Sequence, residues 1–98
     1  MKQYTDESQT AKLIELGFKK PESIIDAWAH ETDIDMEYVY EYSYSIGELI
    51  EMLGYDLYSI RYSGISWEVK GEQVVVTNKE LIDSLYDMIL ILKEEGVI

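Results

Sequence analysis

The sequence predicts an α+β domain: an antiparallel sheet of about four to five strands with three helices, in the order α-β-β-α-β-β-β-α. Three observations carry this. Ile34, Met36, Tyr38, Tyr40, Tyr42 and Tyr44 occupy every second position of one stretch, with Asp33, Asp35, Glu37, Val39, Glu41 and Ser43 between them. A period of two over that length marks a strand with one apolar face and one wet face. Ser45-Ile-Gly-Glu48 and Thr77-Asn-Lys-Glu80 have the form of capping boxes, each followed by apolar residues at helical spacing. Residues 58–77 alternate through two turn signals, as a three-stranded meander does. A chain of 98 residues holds these elements as one domain, 1–98.

The first helix is expected to start at Asp6, with Gln9 as the reciprocal partner of the cap. Ala11, Leu13, Ile14 and Leu16 supply its apolar face, Gly17 ends it in a left-handed conformation, and Phe18 folds back onto it. Residues 21–30 allow two readings. Ile24, Ile25, Trp28 and Ala29 fit a helical face that begins at Pro21. A strand from Ser23 to His30, turning through Glu31-Thr32-Asp33 into the tyrosine strand, is preferred, because a long half-apolar strand needs a neighbour for its backbone groups.

Ser45 and Glu48 then cap a helix whose face is Ile46, Leu49, Ile50 and Leu53, with Gly54 as its stop. Gly47, early in that helix, costs up to roughly 1 kcal/mol against alanine and suggests close packing. In the meander, Tyr58, Ile60 and Tyr62 precede a Ser63-Gly64 turn. Ile65, Trp67 and Val69 follow, then a turn at Lys70-Gly71-Glu72 and a strand from Gln73 to Thr77. The longest helix is expected over about Asn78 to Glu95, with Leu81, Ile82, Leu85, Tyr86, Met88, Ile89 and Leu92 as its stripe. Leu90 and Ile91 fall outside the stripe, Ile91 among Asp83, Asp87 and Glu95, and are candidates for an oligomer contact.

The formal net charge is −12, unevenly placed. Residues 21–60 hold ten acids and no Lys or Arg. Such a stretch repels a phosphate backbone and an anionic membrane surface, which argues against direct nucleic-acid or membrane binding. It is either a solubilising surface or one built to meet a basic protein partner. No cysteine is present, so there is no disulfide or thiol chemistry. The N-terminus lacks an apolar signal core, and a cytoplasmic location is the expectation.

Catalytic signatures are lacking, and no enzyme or cofactor is expected. The single histidine, His30, has no nucleophile-elbow sequence to serve. No phosphate-binding glycine loop exists. Asp33-x-Asp35-x-Glu37 invites a calcium reading, but Tyr38 and Tyr44 stand where the loop would need glycine and glutamate. On a strand these carboxylates also lie roughly 6.6–6.8 Å apart, too far for one hard cation, so no metal site is expected.

The tyrosines read as the core face of the sheet, covered by the C-terminal helix, with their hydroxyls at the rim. The competing reading leaves some open for recognition, and nine tyrosines against one phenylalanine lean toward partial exposure.

Three stretches carry a resemblance: Thr10-Ala-Lys-Leu-Ile-Glu-Leu-Gly-Phe18, Tyr44-Ser-Ile-Gly-Glu-Leu-Ile-Glu-Met-Leu53, and Glu80-Leu-Ile-Asp-Ser-Leu-Tyr-Asp-Met-Ile89 with Lys93-Glu-Glu-Gly-Val-Ile98. Together they resemble a family of small uncharacterised proteins encoded by phages, prophages and mobile elements of gut anaerobes. Members often carry proline after the second helix, where this chain has Gly54. The resemblance implies a phage-type accessory protein and no catalytic residues.

The function expected first is therefore a non-enzymatic module that binds a protein partner through its acidic, tyrosine-rich region, as an inhibitor or DNA mimic. Its candidate residues are Asp33, Asp35, Glu37, Glu41, Tyr40, Tyr42, Glu48, Glu51 and Asp56. One strand face is several-fold too dilute in charge to imitate duplex DNA, which carries about one charge per 1.7 Å, so mimicry needs Glu48, Glu51 and Asp56 gathered beside it. The alternatives are a homo-oligomer joined through Leu90 and Ile91 or a free sheet edge, and a small-ligand binder with a tyrosine-lined pocket.

Overall fold

A computed structural model describes the backbone of residues 1–31 and 36–98 and the side chains of residues 1–27 and 41–98. The elements are α1 (Glu7–Glu15), β1 (Ser23–Glu31), β2 (Met36–Ser43), α2 (Ile46–Leu53), a 3-10 turn (Gly54–Asp56), β3 (Ser59–Tyr62), β4 (Trp67–Lys70), β5 (Val75–Asn78) and α3 (Leu81–Glu94). The α+β class and the element order agree with the sequence.

The strands do not form one sheet. β1 and β2 pair antiparallel as a two-stranded ribbon, and β3, β4 and β5 form a separate antiparallel sheet in that order. Period-two alternation assigns residues to faces and says nothing of which strands are neighbours. Here β2 runs within two residues into the N-cap of α2, so the chain leaves the ribbon as a helix rather than extending it.

Local chemistry sets the helix ends. Asp6 accepts from the Gln9 N–H while Gln9 Oε1 accepts from the Asp6 N–H, which closes the capping box of α1. Beyond α1, Gly17 takes φ +93° and the Phe18 N–H bonds back to the Leu13 carbonyl. Phe18 then packs on the core, with Lys93 Nζ 5.3 Å from its ring centre. The box expected at Thr77–Glu80 does not form. β5 continues to Asn78, which pairs with Trp67, and α3 starts at Leu81 with Glu80 at the N-cap, where its side chain makes no capping bond to the helix. A Cβ at Gly47 would meet nothing outside its own helix backbone closer than Ser45 Oγ at 3.8 Å, so close packing does not explain the glycine. The close approach is at Gly71, where a Cβ would stand 2.5 Å from Met88 Cε and 2.8 Å from the Asp56 carbonyl oxygen.

The core lies between α1, α2, α3 and the three-stranded sheet, built from Leu13, Leu49, Leu53, Val69, Leu81, Ile82, Leu85, Met88, Ile89 and Leu92 with Tyr44. Lys2 fastens the N-terminus to α3. Its backbone N–H donates to Glu80, and its ammonium donates to Asp83 at 2.9 Å and to Gln9 at 3.0 Å. Burial alone would lower the Lys2 pKa, but the hydrogen bonds and charges of Asp83 and Asp6 prevail and raise it.

Candidate protein-binding surface

The ribbon is rooted in the body through Tyr44 and its neighbours. Tyr44 is 1% exposed. Its hydroxyl donates to the Lys19 carbonyl at 2.6 Å, and its N–H donates to Thr5 Oγ1 at 3.1 Å. Thr5 Oγ1 lies 2.7 Å from Thr10 Oγ1, which donates to the Asp6 carbonyl at 2.8 Å. One proton per hydroxyl satisfies this chain, and it carries the root of β2 onto α1 with no buried group left over. Burial, and then the charge of Glu48, push the Tyr44 hydroxyl above its ordinary pKa.

Tyr42, two residues up the strand, is 44% exposed and lines a cleft of about 330 Å³ with Ile25, Glu41, Ser43, Asp6 and Glu7. The tyrosine stripe therefore divides at the root of the ribbon: Tyr44 belongs to the core and Tyr42 to the surface. Of the stripe, Tyr44 is buried in the core and Tyr42 is not, and α3, its expected cover, packs on β4, β5 and α2.

One feature of the ribbon has no local mark in the sequence. Ile24 pairs with Tyr42 and Asp26 with Glu41, so Ile25 is an extra residue on β1. Such a bulge disrupts the ladder locally and increases its twist. It turns Ile25 into the cleft beside Tyr42. No Gly or Pro marks the place.

Among the candidate acids, Glu48 is engaged within the fold. Its carboxylate accepts from the Ser45 N–H at 3.1 Å, the Glu22 N–H at 3.1 Å and the Ser23 hydroxyl. Burial raises its pKa, but these hydrogen bonds outweigh burial and hold the carboxyl below the usual glutamate range. Glu48 thus ties the start of β1 to the start of α2. Glu41 and Glu51 are exposed and have no ion pair among the described residues. Glu51 lies on the rim of a second cleft, about 210 Å³, that is also lined by Tyr44, Phe18, Lys19, Lys20 and Met52. Asp56 sits half-buried in the 3-10 turn, beside another small cleft with Glu72 and Glu95. It is not placed with Glu41. Asp33 and Asp35 lie outside the described residues, as do the side chains of Glu37 and Tyr40.

Leu90 is half-buried against the core, and Ile91 is exposed. The patch expected from the helical wheel is therefore reduced to Ile91. Among the described residues no cluster of metal-ligating side chains occurs, and no helix is long and apolar enough to cross a membrane. What the surface offers is a ribbon edge, exposed carboxylates and an aromatic ring at its root. Comparison with protein-family models, with curated proteins and with solved structures returns no match.

Proposed function

We propose that this chain is a non-enzymatic accessory protein, of the kind found in phages and mobile elements, that binds a basic protein partner through the β1–β2 ribbon and the acids beside it. The observation that carries this reading is the separateness of the ribbon. The cation-free segment of the sequence supplies a two-stranded ladder outside the main sheet. A lone two-stranded hairpin is marginal in water and gains from a covering surface. Its acids select a basic cover, by charge complementarity that speeds encounter and rejects acidic partners.

Glu41, Glu51 and Tyr42 are the described residues that make first contact, with Asp33, Asp35, Glu37 and Tyr40 as further candidates. Tyrosine supplies contact area at little entropic cost, and a partner cation can sit over its ring. Glu48 acts through the fold, by holding the ribbon's root.

Affinity capture from host extract tests the reading, with wild type beside a Glu41→Lys/Glu51→Lys variant. A basic protein retained by wild type, released by salt and lost from the variant is the expected result. Equal retention by both, or nothing retained by either, counts against it.

A further inference from the structure

We propose that the free edge of β3 is a self-pairing site, where a second copy of this chain adds its own β3 antiparallel about a two-fold axis at Ile60. This site is separate from the acidic ribbon. β3 stands at the end of its sheet and, among the described residues, pairs only with β4. An edge strand presents unpaired N–H and C=O groups to any strand that can approach.

Charge selects the occupant. From Leu57 to Trp67 the chain has no acid, and its one charged residue is Arg61. The ribbon edges are acidic, with Asp26 and Glu41, and β5 lies between Glu72 at one end and Lys79 and Glu80 at the other. In a molecule of net charge −12, β3 is the edge with the longer acid-free stretch, residues 57–67 against 73–79 around β5, so two copies meet there with no carboxylate on the pairing strands.

The backbone phase fits the two-fold. The Ser63 N–H bonds to the Ser66 carbonyl at 3.0 Å, which closes the β3–β4 turn. Antiparallel residues alternate between bonded and non-bonded pairs. Counting back from Ser63, Arg61 turns its backbone groups inward, and Tyr62 and Ile60 turn theirs outward. Ile60 of one copy can then exchange both bonds with Ile60 of the other. The Tyr62 N–H reaches the Tyr58 carbonyl of the second copy. The Tyr58 N–H is already bonded to the Lys70 carbonyl at 2.8 Å, so it takes no part.

The side chains fit the same register. Tyr58 and Tyr62, 60% and 54% exposed, become cross-strand neighbours at both ends of the pair. On the opposite face Arg61 meets Ser59 of the second copy, so no like charges stand directly opposite. The product is a six-stranded sheet, three strands from each copy.

Sedimentation of the full chain, from micromolar to about 1 mM, tests this. The wild type should approach twice 11.4 kDa, and more readily as salt rises, because screening relieves the net repulsion. Ile60→Pro removes an outward N–H, and Tyr58→Glu places a carboxylate in the aromatic pair. Each should raise the dimer dissociation constant about tenfold or more. Circular dichroism of both variants reports that the fold is kept, and Tyr58→Glu alters an exposed side chain and so serves if Ile60→Pro unfolds. A wild type that stays at 11.4 kDa throughout, or a dimer that a folded Tyr58→Glu leaves unchanged, overturns the proposal.

Discussion

The Ser23 hydroxyl at the head of β1 donates to the Glu48 carboxylate in the first turn of α2, and the same carboxylate closes the cap on Ser45. One side chain thus fixes both the start of a helix and the root of the ribbon. Replacing it with Gln keeps the shape but removes the charge from three hydrogen bonds. Glu48→Gln is expected to lower unfolding stability by about 1–2 kcal/mol in urea titration, at the scale of a lost cap and of charge-assisted bonds.

The pH dependence of that site follows from its depressed pKa. Stability from a carboxyl whose folded pKa lies below its unfolded value is present above the unfolded value, about 4.3 for glutamate, and is lost as pH falls through the folded value. Asp6 behaves likewise, held low chiefly by the Gln9 N–H. Acid titration of thermal stability should therefore show loss beginning near pH 4–5. Glu48→Gln should flatten part of that slope. Lys2 acts at the other end: its raised pKa adds stability that is present below about pH 10 and lost as pH rises through the folded value.

Gly71 and Gly47 should respond to alanine in opposite ways. At Gly71 the new Cβ meets the flexible end of Met88 but also the fixed Asp56 carbonyl, so Gly71→Ala is expected to cost about 1–3 kcal/mol. At Gly47 the space is open and the backbone helical, so Gly47→Ala should gain about 0.5–1 kcal/mol. Paired urea titrations check both signs at once.

How much of this was legible depended on the range of each interaction. The Asp6–Gln9 and Ser45–Glu48 caps and the Gly17 stop are settled within four residues, and they form as the sequence predicts. The Thr77–Glu80 box has the same pattern, but the β5 ladder claims Asn78 first, and Asn78 turns its amide to Asp87 instead. The turn after β3 is one residue later than Ser63-Gly64 suggests. Ser63 and Ser66 close it, with Gly64 at its first corner at φ +99° and Ile65, 83% exposed, at its second.

The hairpin reading of residues 21–30 is the one observed, since β1 pairs with β2. The bulge at Ile25, the Ser23–Glu48 bond and the split into two sheets are tertiary choices without a local signature. At the candidate surface, the acidity and the tyrosines were visible in the sequence. That Tyr44 is sealed and Tyr42 open was not, because alternation gives both the same face.

The exposed acids should be dispensable for folding. Glu41→Lys and Glu51→Lys remove no hydrogen bond seen among the described residues, and each should change stability by less than about 0.5 kcal/mol. A matching melting temperature in the double variant would confine its binding defect to the surface.

Hydrogen exchange of the chain, alone and with its captured partner, tests the central claim most directly. Binding through the ribbon predicts slowed exchange in peptides from residues 22–56, with β3–β5 and α3 unchanged. Protection confined to β3–β5 or α3, with the ribbon unaffected, would contradict it.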